Sequence, residues 1–212
     1  MKSVVYVAVA VAAAATGFAI YRYGLAPQVT PQPAPVAALA EPEPKVPTDL
    51  PDFTLEDRDG NRRSIRSWSG KSMIVNFWAT WCAPCRREIP LLREINKTHE
   101  SEGFQVVGVA VDFRDDVLKY ATEIGIDYPI LIGEQDGFEA VSSFGMGSLG
   151  FPFTVFTDNQ GRIVLTHLGE LTKTQSVVML DAVKRVNSGE LTPVAARTVA
   201  AGQLDDLEPA EG

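Results

Sequence analysis

The stretch Ile74-Val75-Asn76-Phe77-Trp78-Ala79-Thr80-Trp81-Cys82-Ala83-Pro84-Cys85-Arg86-Arg87-Glu88-Ile89-Pro90 constrains this chain more than any other. An apolar strand runs directly into a C-x-x-C, and the pair opens a helix whose apolar positions Ile89, Leu92 and Ile95 recur at helical spacing. The protein has no other cysteines. A thiol at a helix N-terminus meets free N–H groups and partial positive charge, which favour the nucleophilic thiolate. Cys82 stands at that junction. Cys85, one turn further in, is placed to attack a mixed disulfide formed on Cys82 and release the partner. Ala83-Pro84 stiffens the intervening loop, since proline suits a first helical turn that needs no N–H donor. The pair therefore reads as an attacking and a resolving thiol.

A C-x-x-C has two other readings. A structural zinc site takes four Cys or His ligands, usually from two such pairs, and the chain has no second pair; its two histidines, His99 and His167, lie far away in sequence. An inert structural bridge closing so short a loop would stabilise little.

F-W-A-T-W-C-A-P-C followed by R-R-E-I-P resembles the active site of the thioredoxin-fold, TlpA/ResA-like thiol-disulfide oxidoreductases of the redoxin superfamily, and the likeness runs from about Asp49 to Val186. The resemblance implies an α/β, thioredoxin-like fold: a central mixed β-sheet flanked by helices, with an N-terminal β-hairpin and a central helix-strand insertion. It implies Cys82 as nucleophile, Cys85 as resolving thiol and Pro90 as the proline that kinks the active-site helix. Phe151-Pro152-Phe153-Thr154 resembles the family's cis-proline loop, so Pro152 is expected to be cis, and Phe151, Pro152 and Trp81 are expected to contact substrate. Thioredoxin keeps a buried aspartate six residues before the nucleophile, where this chain has Asn76. The ResA-like glutamate three residues after the second cysteine is matched by Glu88, which also falls on the same helical face as Cys85. No cofactor is implied beyond the redox-active Cys82–Cys85 disulfide itself.

The N-terminal segment, residues 1–25, holds an apolar or small-residue run from Val4 to Ile20 after Lys2. At about 1.5 Å per residue that run covers roughly 25 Å, the short end of what crosses a bilayer. It is either an uncleaved anchor or a cleaved signal; Tyr21, Arg22 and Tyr23 at its edge suit a membrane interface and favour the anchor. Residues 26–47 are rich in Pro and Ala and read as an extended tether. A thioredoxin-like domain follows over 48–188. Residues 189–212, small, polar and acidic at their end, read as a mostly disordered tail.

A net charge of −8 without a basic stripe argues against a nucleic-acid partner. Gly145-Met146-Gly147-Ser148-Leu149-Gly150 spells G-x-G-x-x-G, but it follows a helix and opens a strand, the reverse of a dinucleotide site. Three classes of function stay open. The first is an extracytoplasmic oxidoreductase that reduces protein disulfides, inner-membrane-anchored and facing the periplasm or secreted there, supplied by a membrane thiol donor and serving cytochrome c maturation or metal-site assembly. The second is a thiol peroxidase of the redoxin group, whose P-x-x-x-T/S-x-x-C pattern is absent. The third is a copper carrier using the C-x-x-C as a soft two-thiolate site.

Overall fold

The computed structural model describes residues 12–21, 47–145 and 150–207. Two compact units divide the chain, Met1–Glu43 and Pro44–Gly212. In the first, residues 12–20 are helical. Among the described residues no helix is long and apolar enough to cross a membrane; most of the expected anchor, and all of the expected tether but Pro47, lie outside them.

The second unit is built on a seven-stranded mixed sheet: β1 (Thr54–Asp57), β2 (Arg62–Ser64), β3 (Ser72–Trp78), β4 (Phe104–Val111), β5 (Ile130–Gly133), β6 (Phe153–Thr157) and β7 (Ile163–Leu168), in the order β2-β1-β5-β4-β3-β6-β7. β3, β4 and β5 are parallel, and every other pairing is antiparallel. β3 and β4 are buried at every position, which is why both read as continuous apolar runs. The N-terminal hairpin β1–β2 extends this same sheet, because Glu56 and Asp57 pair with β5.

Five helices cover the sheet: α1 (Ala83–His99), α2 (Arg114–Glu123), α3 (Gln135–Ser142), α4 (Lys173–Asn187) and α5 (Pro193–Asp205). Alternation along β3 sorts the core. Ile74 and Trp78 face one side with Ile89, Leu92 and Ile95 of α1, whereas Val75 and Phe77 face the other with Phe144 and Phe153. α1 runs through Pro90, which is exposed, so the Arg86 carbonyl that loses its N–H partner lies on the wet side. α2 starts one residue before Asp115-Asp116: its N-cap is Phe113, and the two acids sit in the first turn beside the positive dipole end. In α4, capped by a Thr172–Gln175 capping box, Val177 faces solvent and Met179 packs inside.

The expected disordered tail over 189–212 is corrected over most of its length. Thr192 caps α5 through the Ala195 N–H, Pro193 begins it, and the helix packs on α4 and β7. Ala196 and Ala200 are fully buried at that contact. The alanines that made the segment look too poor in apolar bulk to fold are what allow the helix to approach closely.

Candidate active site

β3 delivers Trp78 into the core, and the chain then turns through Thr80 and Trp81 to the cysteines. Asp112, at the end of β4, fixes this turn: its Oδ2 accepts from the Thr80 N–H at 2.9 Å and from Thr80 Oγ1 at 2.5 Å. Cys82 is the N-cap of α1, and its Sγ accepts the Cys85 N–H at 3.3 Å. Sulfur thus occupies the place where a helix offers its unpaired donors, which favours negative charge on Cys82 once the bridge is reduced. Cys82 and Cys85 are joined in a disulfide with their Cα atoms 5.3 Å apart. Both sulfur-bearing residues are buried, Cys85 completely.

One helical turn on from Cys85 stands a buried polar group on the otherwise apolar inner face of α1. Glu88 is 1% exposed. Its Oε1 accepts from Asn76 Nδ2 at 2.7 Å and its Oε2 from the Leu171 N–H at 2.8 Å. Asn76 Nδ2 also donates to Thr154 Oγ1 at 2.9 Å, across a pairing in which β3 and β6 stand side by side. Burial pushes the Glu88 carboxyl up to about 7, against the pull of those two N–H donors. Glu88 is therefore a buried acid able to exchange a proton near neutrality, one helical turn from Cys85.

Asn76 thereby joins β3 to that acid. Its polarity inside an apolar strand was the one sequence signal for this link. Thr154 and the Leu171 N–H gave none, since both reach Glu88's surroundings through tertiary structure.

The second landmark is the Phe151–Pro152 peptide, which is cis. Phe151 lies between two aromatic rings, 6.0 Å from Trp81 and 6.3 Å from Phe138, centroid to centroid. The loop before β6 is thereby set against the residue that precedes Cys82. Trp81 is 65% exposed, whereas Trp78 is fully buried. The sequence-predicted residues Trp81, Cys82, Cys85, Glu88, Phe151 and Pro152 thus gather at one end of the sheet.

The histidines do not join them. His99 Nδ1 lies 3.0 Å from Glu102 Oε1, and His167 Nε2 lies 3.3 Å from the Glu170 carbonyl, half-buried and with its pKa lowered by that burial. Among the described residues no group of three or more His, Cys, Asp or Glu is arranged to hold a metal. Of the G-x-G-x-x-G stretch, residues 146–149 lie outside the described residues; Gly145 follows α3, and Gly150 leads to β6.

A disulfide at the tip of the helix that follows the parallel strand β3, with a cis-proline loop entering the neighbouring antiparallel strand β6, defines a thioredoxin-fold thiol-disulfide oxidoreductase. The chain belongs to the AhpC/TSA family, whose model matches residues 46–166. Among its relatives, the thiol-disulfide oxidoreductase ResA of Geobacillus thermodenitrificans is 33% identical over 135 residues, 63% of this chain and 75% of that protein. ResA of Geobacillus kaustophilus is 32% identical over the same shares. A thiol:disulfide interchange protein of the thioredoxin family from Chlorobium tepidum, of known structure, is 34% identical with a TM-score of 0.56, covering 66% of this chain and 96% of that one. A secreted thiol-disulfide isomerase from Corynebacterium glutamicum is 28% identical with a TM-score of 0.56, covering 61% of this chain and 81% of that one. The protein is a thiol-disulfide oxidoreductase related to ResA, and such an enzyme acts on protein disulfides.

Proposed function

We propose that the protein reduces protein disulfides outside the cytoplasm, with Cys82 attacking, Cys85 resolving and Glu88 accepting the resolving proton. The observation that carries this reading is the placement of Cys82 Sγ at the N-cap of α1, where it accepts the Cys85 N–H, with a buried carboxyl one turn on from Cys85. In the dithiol form, the Cys82 thiolate attacks one sulfur of a substrate disulfide; that bond breaks, a mixed disulfide forms, and the first substrate thiolate leaves. Cys85 then gives its proton to Glu88 and attacks Cys82 Sγ, expelling the second substrate thiolate. Two electrons pass to the substrate, and the protein is left with the Cys82–Cys85 bridge.

Return to the dithiol requires an external dithiol, and a membrane thiol donor fits the apolar N-terminal run of residues 4–20. Compartments that sustain protein disulfides already hold dedicated oxidants, so a reductant is the role that adds something there. Trp81 and the Phe151-Pro152 loop form the substrate-facing edge, where the backbone before the proline is available to pair with an extended segment.

Trapping tests the assignment and names the substrate. Cys85→Ser, expressed in the producing cell, accumulates mixed disulfides on Cys82, and Cys82→Ser does not; the reverse pattern exchanges the two roles. An apocytochrome c among the trapped proteins assigns the enzyme to cytochrome c maturation, and a copper-site protein assigns it to metal-site assembly. Peroxide consumption at the rate of insulin reduction would instead point to a thiol peroxidase.

A further inference from the structure

Against Trp81, an apolar pocket of about 160 Å³ opens between the end of β4 and the start of α3. Trp81, Val111, Phe113 and Phe138 line it together with two acids, the buried Asp112 and the exposed Glu134. Phe113 is 63% exposed, nearly as much as Trp81, so two large apolar side chains stand in solvent at the mouth of one pocket. Scattered single exposures of this kind are ordinary, but a contiguous patch beside a reactive bridge marks a contact surface. The patch is also continuous with the cis-proline loop, because Phe138 and Trp81 both touch Phe151. Its volume matches the roughly 150 Å³ in which an apolar cavity accommodates a single aromatic ring.

What lies beyond those two acids specifies the occupant. Asp112 and Glu134 also line a second pocket, of about 200 Å³, with Glu56, Asp136 and one cation, Arg114. That guanidinium is already engaged: it donates to the Asp57 and Arg58 carbonyls at 2.8 and 2.6 Å and lies 3.4 Å from Glu56. Asp136 pairs with Arg62 at 3.3 Å. Glu134 is exposed and has no ion pair among the described residues. An apolar pocket therefore passes, across one shared wall, into a pocket with uncompensated negative charge.

We infer that this bipartite surface is a docking site for the segment of a partner protein that flanks its disulfide, taking a bulky apolar or aromatic side chain against Trp81, Phe113 and Phe138 and an adjacent lysine or arginine against Glu134 and the acidic pocket. The inference rests on the oxidoreductase reading and adds to it the chemistry of the protein substrates: cysteines neighboured by an apolar–basic pair. Electrostatic complementarity of this kind sets encounter rate and register, while the buried ring supplies the anchor.

Three synthetic peptides sharing one internal disulfide test it, with Phe-Arg, Phe-Glu or Ser-Ser beside the second cysteine, reduced by the dithiol form of the full chain. The Phe-Arg peptide is expected to show kcat/KM about fivefold or more above the Phe-Glu peptide at low salt, and the margin to shrink at high salt. Glu134→Lys removes or inverts the charge preference, and Phe113→Ser raises KM for the Phe-Arg peptide while kcat holds. Equal kcat/KM for the three peptides, or a charge preference that Glu134→Lys leaves untouched, overturns the docking site. Reduction of insulin without reduction of any peptide does the same. Failure to reduce insulin and peptides alike sinks the oxidoreductase reading itself.

Discussion

Asn76 Nδ2 donates to Glu88 Oε1 at 2.7 Å, joining the interior strand β3 to the buried acid of the active-site helix. An amide that donates to a carboxylate stabilises the ionised form, so this bond holds the acid below the value that burial alone would give it.

Asn76→Ala therefore raises the pKa of Glu88 beyond about 7, by roughly one unit or less. Carboxyl NMR titration of the oxidised protein measures it directly. The pH at which mixed-disulfide release becomes fast moves upward with it, since Glu88 takes a proton only when ionised. A titration that stays in place denies Asn76 this positioning role.

Glu88→Gln has a signed effect on stability. The folded-state pKa of Glu88 is raised from 4.5 to about 7, so folding favours the protonated acid. That contribution is fully present below 4.5 and is lost as pH climbs through 7. The wild type should weaken relative to Glu88→Gln between pH 5 and pH 8.5, by something on the order of 1–3 kcal/mol, as urea unfolding at the two pH values reads out. The same variant slows release of the mixed disulfide while leaving the first attack intact, and it moves the cysteine titration to lower pH.

Gly108 pairs with Asn76 in the sheet and leaves room for the rings behind the site. A methyl group there would come within 3.0 Å of Trp78 Nε1 and 3.1 Å of Tyr128 Cε2. Gly108→Ala is expected to destabilise the fold by about 1–3 kcal/mol, through overpacking of two fully buried aromatics. A lowered melting temperature with the near-ultraviolet spectrum of the tryptophans altered is the expected signature.

Arg197 ties the last helix to the sheet edge, its Nε donating to the Val164 carbonyl at 3.0 Å and its Nη2 to the Ile163 carbonyl at 2.5 Å. Arg197→Ala should cost about 1–2 kcal/mol, and removal of everything after Ser188 should cost more by uncovering β7. Unfolding midpoints measure both. An unchanged midpoint after truncation would mean that α5 adds nothing to the domain.

The sequence by itself determined the reactive pair, the strand that delivers it and the acid one turn on, because each rests on local rules: strand burial, helix-start chemistry and spacing along one helical face; the cis-proline loop was legible only through the family resemblance of Phe151-Pro152-Phe153-Thr154. β3 and β4 are legible by the same local rules: buried at every position, they stand in the sequence as mostly apolar runs, interrupted within β3 by Asn76. Only the tertiary structure decided what those rules do not reach. The partners of Glu88 come from β3 and from the residue before α4, and nothing in a one-dimensional pattern brings Leu171 to it. Val177 lies in solvent and Met179 inside, beside Leu180 and Val183, because the neighbours of α4 decide which of its apolar residues are covered. The segment read as a tail became α5 because Ala196 and Ala200 bury little area alone and gain stability only where a second helix and a strand already stand to receive them.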